Sequence, residues 1–212
     1  MENNQNTREN NTRIAKNTLM LYARMLLFMV ISLYTSRVIL DTLGIGDYGI
    51  NNVVAGVITM LSFITGSMSS AVTRFLTVAI GEGDPENSKK IFGSLLLIQV
   101  ILAAIIVVFG ETFGLWFVMN KLVIPENRMV AAMWVYQFSI LSSVIGVLMV
   151  PYNAAIIAHE KMKAFAYISI LDAVLKLVIV YMLVISPIDK LITYAILFFC
   201  ISCVDQIIYF TY

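Results

Sequence analysis

The sequence predicts an all-α integral membrane protein that crosses a bilayer six times. Three observations predict it. Of 212 residues, 60% are hydrophobic and only 13% are charged, where a soluble domain carries about 25%. The apolar residues fall in blocks of about 20 or more, the length a helix needs to cross ~30 Å of hydrocarbon. Lipid offers the backbone no hydrogen-bond partner, so a spanning block must close its own bonds as a helix.

The spans follow in order. The first runs from about Ile14 to Leu40 and the second from about Tyr48 to Ile80. The third is Ile91 to about Gly110, and the fourth about Met129 to Val150, closed by Pro151. The fifth is about Phe165 to Ser186 and the sixth about Leu191 to Tyr212. The polar, Asn-rich residues 1–13 lack the apolar stretch of a cleaved signal and are expected as a disordered cytoplasmic tail. The connections carry turn residues: LDTLGIGDYG, GEGDPENSKK, MNKLVIPENR, HEKMK and SPIDK. The shortness of SPIDK makes the last two spans antiparallel neighbours, and Trp116 is placed to anchor an interface.

The Lys/Arg distribution orients the chain. With the N-terminus inside, Arg8, Arg13, Lys16, Lys89, Lys90, Lys161 and Lys163 are cytoplasmic. Only Lys121, Arg128 and Lys190 then lie outside. The apolar run continues to Tyr212 without a basic flank, which reads as a chain cut short. A net charge of +1 gives no basic face for nucleic acid. Cys200 and Cys203 lie in an apolar run without histidines and read as ordinary helix residues. No phosphate loop, metal spacing or nucleophile elbow occurs, and the loops are too short for a catalytic domain, so no enzyme and no cofactor are expected.

Charges inside the spans are the candidate functional residues, because each is costly in lipid and must face a bundle interior or wet cavity. They are Arg24, Arg74, Asp172, Lys176 and Asp205, with Arg37 near the outer end. Arg24 shares a helix face with Asn17 and Thr35; snorkelling to the headgroups is the plainer reading of it. Asp172 and Lys176, four apart, can pair within one helix. Asp205 has no local partner and must pair across helices or titrate. In the second span Asn52, Thr59, Ser62, Gly66, Ser69 and Thr73 recur at spacings of 7, 3, 4, 3 and 4, within about a 100° arc. They line a cavity or serve close helix packing. Arg74 and Ser70 flank that row, and His159 reads as a solvated loop residue.

Three stretches resemble a known family. TSRVILDTLGIGDYGINNVVAGVI is similar to the first loop and second helix of polysaccharide (O-antigen type) flippases. SSAVTRFLTVAIGEGD resembles the end of their second helix, and VPYNAAIIAHEKMKAFAYISILDAVLKL their fourth-to-fifth helix junction. The resemblance spans about residues 13–212 and places the chain in the superfamily that also holds multidrug and toxin extrusion proteins. It implies one six-helix lobe of a two-lobed transporter of twelve to fourteen helices, here the N-terminal lobe without its C-terminal partner. It further implies the bacterial inner membrane, surface polysaccharide (lipopolysaccharide) biosynthesis, and a polyprenyl-diphosphate-linked oligosaccharide as substrate. Arg24, Arg74 and Lys176 then bind substrate phosphate, with Arg24 foremost. Asp172 and Asp205 serve ion coupling or pairing, with protons or sodium as coupling ions. Two other classes stay open: a cation-coupled multidrug antiporter using Asp205, and a truncated or scaffolding membrane protein that transports nothing.

Overall fold

The computed structural model describes residues 2–60, 62–187 and 189–211; the side chains of residues 2–14, 16, 17, 20, 23, 24, 62 and 64 lie outside the description. The described residues form helices joined by short turns, without strands. These are α1 (Glu2–Thr59), α2 (Ser62–Gly81), α3 (Pro85–Phe109), α4 (Leu115–Lys121), α5 (Met129–Ala158), α6 (Met162–Ile185) and α7 (Lys190–Thr211).

Five helical segments are long and apolar enough to cross a membrane: Met25–Thr59, Pro85–Lys121, Glu126–Ala158, Met162–Ile185 and Lys190–Thr211. The outside of the bundle suits lipid: Leu26 is 64% exposed, Phe75 63% and Val108 64%. In water such a surface would be an aggregation hazard. α2 is not among these five.

Several boundaries differ from the sequence expectation, each for a local reason. The backbone of residues 2–13, expected as a disordered tail, continues α1 as helix. α1 breaks at Gly44, whose φ of 76° and ψ of 166° only glycine adopts readily. The expected second span, 48–80, is divided: α1 ends at Thr59 and α2 begins at Ser62. The third does not stop at Gly110; α3 passes through a π-helical turn, Gly110–Gly114, into α4. The Tyr136 hydroxyl donates to the Gly110 carbonyl at 2.6 Å. A side chain at Gly114 would collide with that hydroxyl.

The fourth span runs through Pro151 to Ala158. Proline forfeits one backbone bond, but seven further residues keep theirs where no water could replace them. α6 and α7 match their expected spans within three residues and pack on each other. At the GEGDPEN turn, Gly83 takes φ 74° and Asp84 caps α3 by accepting from the amides of Glu86 and Asn87 at 2.9 and 3.2 Å.

α5 is the hub. It packs against α1, α2, α3, α6 and α7. Its buried residues Ala132, Val135, Tyr136 and Ile140 join Val54 and Ile58 of α1 and Leu183 and Leu191 near the α6–α7 turn in the largest apolar cluster. Toward the other end Ile156, Ile168 and Tyr209 tie α5, α6 and α7 together.

Candidate functional site

Of the cavities beside α7, two bear on the candidate site residues. The larger, about 540 Å³, lies between the second arm of α1, α2, α5 and α7. Its polar lining is neutral: Asn51, Thr59, Thr65, Ser69, Ser139, Ser142, Ser143, Tyr194 and Ser202. These groups divide by what they already bond. Thr59 donates to the Gly56 carbonyl at 2.9 Å, Ser139 to Val135 at 2.7 Å and Ser202 to Phe198 at 3.2 Å. Such bonds within one's own helix are the usual resting place of a membrane hydroxyl. Asn51, Thr65, Ser69, Ser142 and Ser143 make no comparable side-chain bond among the described residues. They face the cavity with hydrogen-bonding capacity to spare, beside the rings of Phe138, Tyr194 and Phe198.

The smaller cavity, about 260 Å³, lies between the first arm of α1, α6 and α7. Ser32, Thr35, Ser36 and Lys176 supply its polar wall. Tyr194 and Phe198 line both cavities and so form the partition between them.

The expected site residues are distributed unevenly. Lys176 stands at the wall of the smaller cavity and donates to Asp172 Oδ2 at 2.8 Å, the intrahelical pair anticipated from their spacing. Asp205 is buried, 8% exposed, and lies near Asp172 across the α6–α7 contact. The Oδ1 atoms of both aspartates are buried without a partner. Arg74 is exposed on α2 and lines neither cavity. The side chain of Arg24 lies outside the described residues, as do those of Asn17 and Ser62.

The second-span row is brought in only partly. Thr59, Gly66 and Ser69 line the larger cavity. Asn52 is exposed while its neighbour Asn51 lines the wall. Thr73 donates back to the Ser69 carbonyl at 2.8 Å. The phase of that row supposes a single uninterrupted helix; the chain leaves α1 after Thr59 and enters α2 at Ser62, yet Thr59, Gly66 and Ser69 from the two sides still meet at one cavity.

Sequence reading overlooked three features. The α5 wall, Ser139, Ser142, Ser143 and Gly146, was visible as small residues at helical spacing within SILSSVIG. Gln99, wholly buried on α3 with both amide atoms unpartnered, went unnoticed because a lone glutamine carries no formal charge. The third is an ion-pair network at the loop end. Arg128, just before α5, bonds Asp47 after the α1 break and Asp189 before α7. Asp189 also accepts from the Leu191 amide at 3.0 Å, capping α7. Loop alternation already placed these three residues on one side of the membrane.

Comparison with known proteins adds no likeness to this geometry: no family model, curated protein or solved structure matches the chain.

Proposed function

We propose that this chain is the substrate-handling lobe of a membrane flippase, moving a polyprenyl-diphosphate-linked oligosaccharide across the bacterial inner membrane. The observation that carries the reading is the larger cavity. A cavity of about 540 Å³ opens in an apolar bundle, and among the described residues Asn51, Thr65, Ser69, Ser142 and Ser143 on its wall make no side-chain hydrogen bond. Polar groups left unbonded in hydrocarbon are expensive, so their retention points to a polar occupant. The absence of charge from the described lining, and the adjacent rings, suit a neutral sugar chain better than an organic cation. The resemblance of the first-loop, second-helix and fourth-to-fifth junction motifs to polysaccharide flippases points the same way.

On this reading the sugars occupy the larger cavity, and the diphosphate lies toward Lys176 across the Tyr194–Phe198 partition. The polyprenyl tail stays in lipid. Lys176 is preferred to Arg74 for phosphate because it stands at a cavity wall; Arg24 keeps the role that the resemblance implies for it. The two arms of α1, together with α2, make the first two of six crossings, and the N-terminus is cytoplasmic. A second lobe completes the passage by alternating access. The buried aspartates favour one second reading, an ion-coupled antiporter of the same superfamily.

The test is transport. Protein reconstituted in liposomes is given a fluorescent polyprenyl-diphosphate-linked trisaccharide, alone and with a candidate second lobe. Movement of the sugar to the far leaflet, lost when Ser142 and Ser143 are both replaced by leucine, is the expected result. Exchange of organic cations for protons, with the lipid-linked sugar left stationary, overturns the flippase reading in favour of the antiporter.

A further inference from the structure

We infer that a third pocket, at the end of α5 between α3, α7 and the α5–α6 turn, binds the phosphate headgroup of an anionic membrane phospholipid. The inference rests on the chain spanning a membrane and not on the identity of the cargo.

Shape gives the first argument. The pocket holds about 140 Å³, well short of the ~300–1,000 Å³ that encloses a drug-sized ligand. It suits one headgroup, with the rest of the molecule left outside. Ile156 and Tyr209, 6% and 8% exposed, form its floor and belong to the cluster that ties α5, α6 and α7 together. Phe92, Tyr152 and Phe210 form an aromatic wall. The Tyr152 ring meets Phe92 at 5.5 Å and Phe210 at 5.9 Å between centroids, both edge to face. Phe210 is exposed, so this wall reaches the outer surface of the bundle, where acyl chains lie.

The turn gives the second argument. Past the end of α5, the Glu160 amide donates to the Ile157 carbonyl and the Lys161 amide to the Ile156 carbonyl, each at 3.0 Å. This nested pair closes a helix around one left-handed residue. Glu160 is that residue, with φ 54°, a place more often taken by glycine. The Lys161–Ile156 bond folds the chain back over the floor of the pocket, and His159 and Lys161 both line it. Both are exposed and lie beyond the helix end. The pocket therefore offers nitrogen donors at its outer end and rings alongside, and no carboxylate lines it among the described residues. A phospholipid has the matching polarity: a phosphate that takes charge-assisted hydrogen bonds, and chains that take apolar contact.

The surroundings agree. Lys89 and Lys90, just before Phe92 on α3, and Lys163 on α6 are exposed at the same end. Of the acids there, Asp84 is engaged in capping α3 and Glu82 accepts from Asn87. Basic pockets between membrane helices at such an end are recognised sites for anionic headgroups.

The experiment uses the full chain purified in detergent, with lipid adducts resolved by native mass spectrometry. Phosphatidylglycerol and phosphatidylcholine with identical acyl chains are titrated in two arms, and free glycerophosphate in a third. Phosphatidylglycerol is expected to bind at least ~10-fold more tightly than phosphatidylcholine. Lys161→Gln should lose about fivefold of that preference, the worth of one cation near the surface, and Lys161→Arg should keep it. Ala155→Trp, which fills the pocket without touching its charge, should abolish the preference, whereas Lys163→Gln, outside the lining, should barely change it. Equal binding of the two lipids overturns the proposal, as does a preference that survives in Ala155→Trp. A loss in Lys163→Gln as large as in Lys161→Gln overturns it in favour of diffuse attraction to a basic surface. Glycerophosphate binding as tightly as phosphatidylglycerol overturns it in favour of a soluble phosphate. None of these outcomes bears on whether the larger cavity takes a sugar.

Discussion

Arg128, at the loop end of the bundle, and Lys176, midway along α6, each stand beside two carboxylates. Arg128 engages both of its acids, Asp47 through one terminal nitrogen and Asp189 through the other. Lys176 engages only Asp172, leaving Asp205 with a buried oxygen unbonded. Side-chain chemistry accounts for part of the contrast. A guanidinium is a fork with five donors, while an ammonium is a compact point charge. The surroundings account for the rest. The two cations are similarly open, 34% for Arg128 and 36% for Lys176, but Asp189 keeps 29% side-chain exposure among the loops whereas Asp205 is 8% exposed within the bundle. The same count of one cation and two acids therefore makes a staple across three loops in one place and an unfinished site in the other.

Substitutions can break or sharpen this contrast. The largest effect is expected from Lys176→Met, which leaves two carboxylates in the bundle without their cation and should cost about 2–3 kcal/mol in unfolding, less than a fully buried pair because Lys176 is 36% exposed. Replacing Lys176, Asp172 and Asp205 together with apolar residues or amides of similar size should come close to neutral. A triple variant as unstable as Lys176→Met would mean that packing, not charge, holds α6 to α7.

Gly114→Ala serves as an uncharged reference. The added methyl meets the Tyr136 hydroxyl at the π-helical turn, so about 1–3 kcal/mol of destabilisation is expected in the same unfolding assay. Gln99→Leu should run in the opposite sense, stabilising by about 1–3 kcal/mol, because it removes a buried amide with no bond to lose. Destabilisation by Gln99→Leu would indicate that water or a ligand reaches that amide. The smallest effect is expected at the staple: Arg128→Lys should cost roughly 1 kcal/mol or less, since the site is partly solvated. That cost should shrink further as salt is raised from 50 mM to 500 mM. A cost that ignored salt would count against a solvated network.

The pattern of apolar blocks was legible in the sequence, and α6 and α7 were placed closely by it. So was the Asp172–Lys176 pair, because a spacing of four fixes two side chains on one helix face whatever surrounds the helix. The continuation of α5 through Pro151 was misread. Turn chemistry learned from water makes proline a stop, but in lipid the neighbouring backbone has nowhere else to bond. The second-span row was legible in part: Thr59, Gly66 and Ser69 meet at the larger cavity, whereas Asn52 and Thr73 lie outside its lining, because where a helix breaks is a tertiary outcome.

By itself, then, the sequence determined what hydropathy and fixed helical spacing can determine: a helical, lipid-facing chain, the positions of its later spans, and which charges are too costly to face hydrocarbon. Only the tertiary structure decided which of those residues meet. It set Arg74 outside the cavities and put Lys176 at the wall of one. It brought Asp205 to Asp172 across two helices, and joined Arg128 to acids 81 and 61 residues away. Contacts of that kind depend on how helices rotate and pack against one another, and rotation is set by the summed fit of many side chains that no local pattern contains.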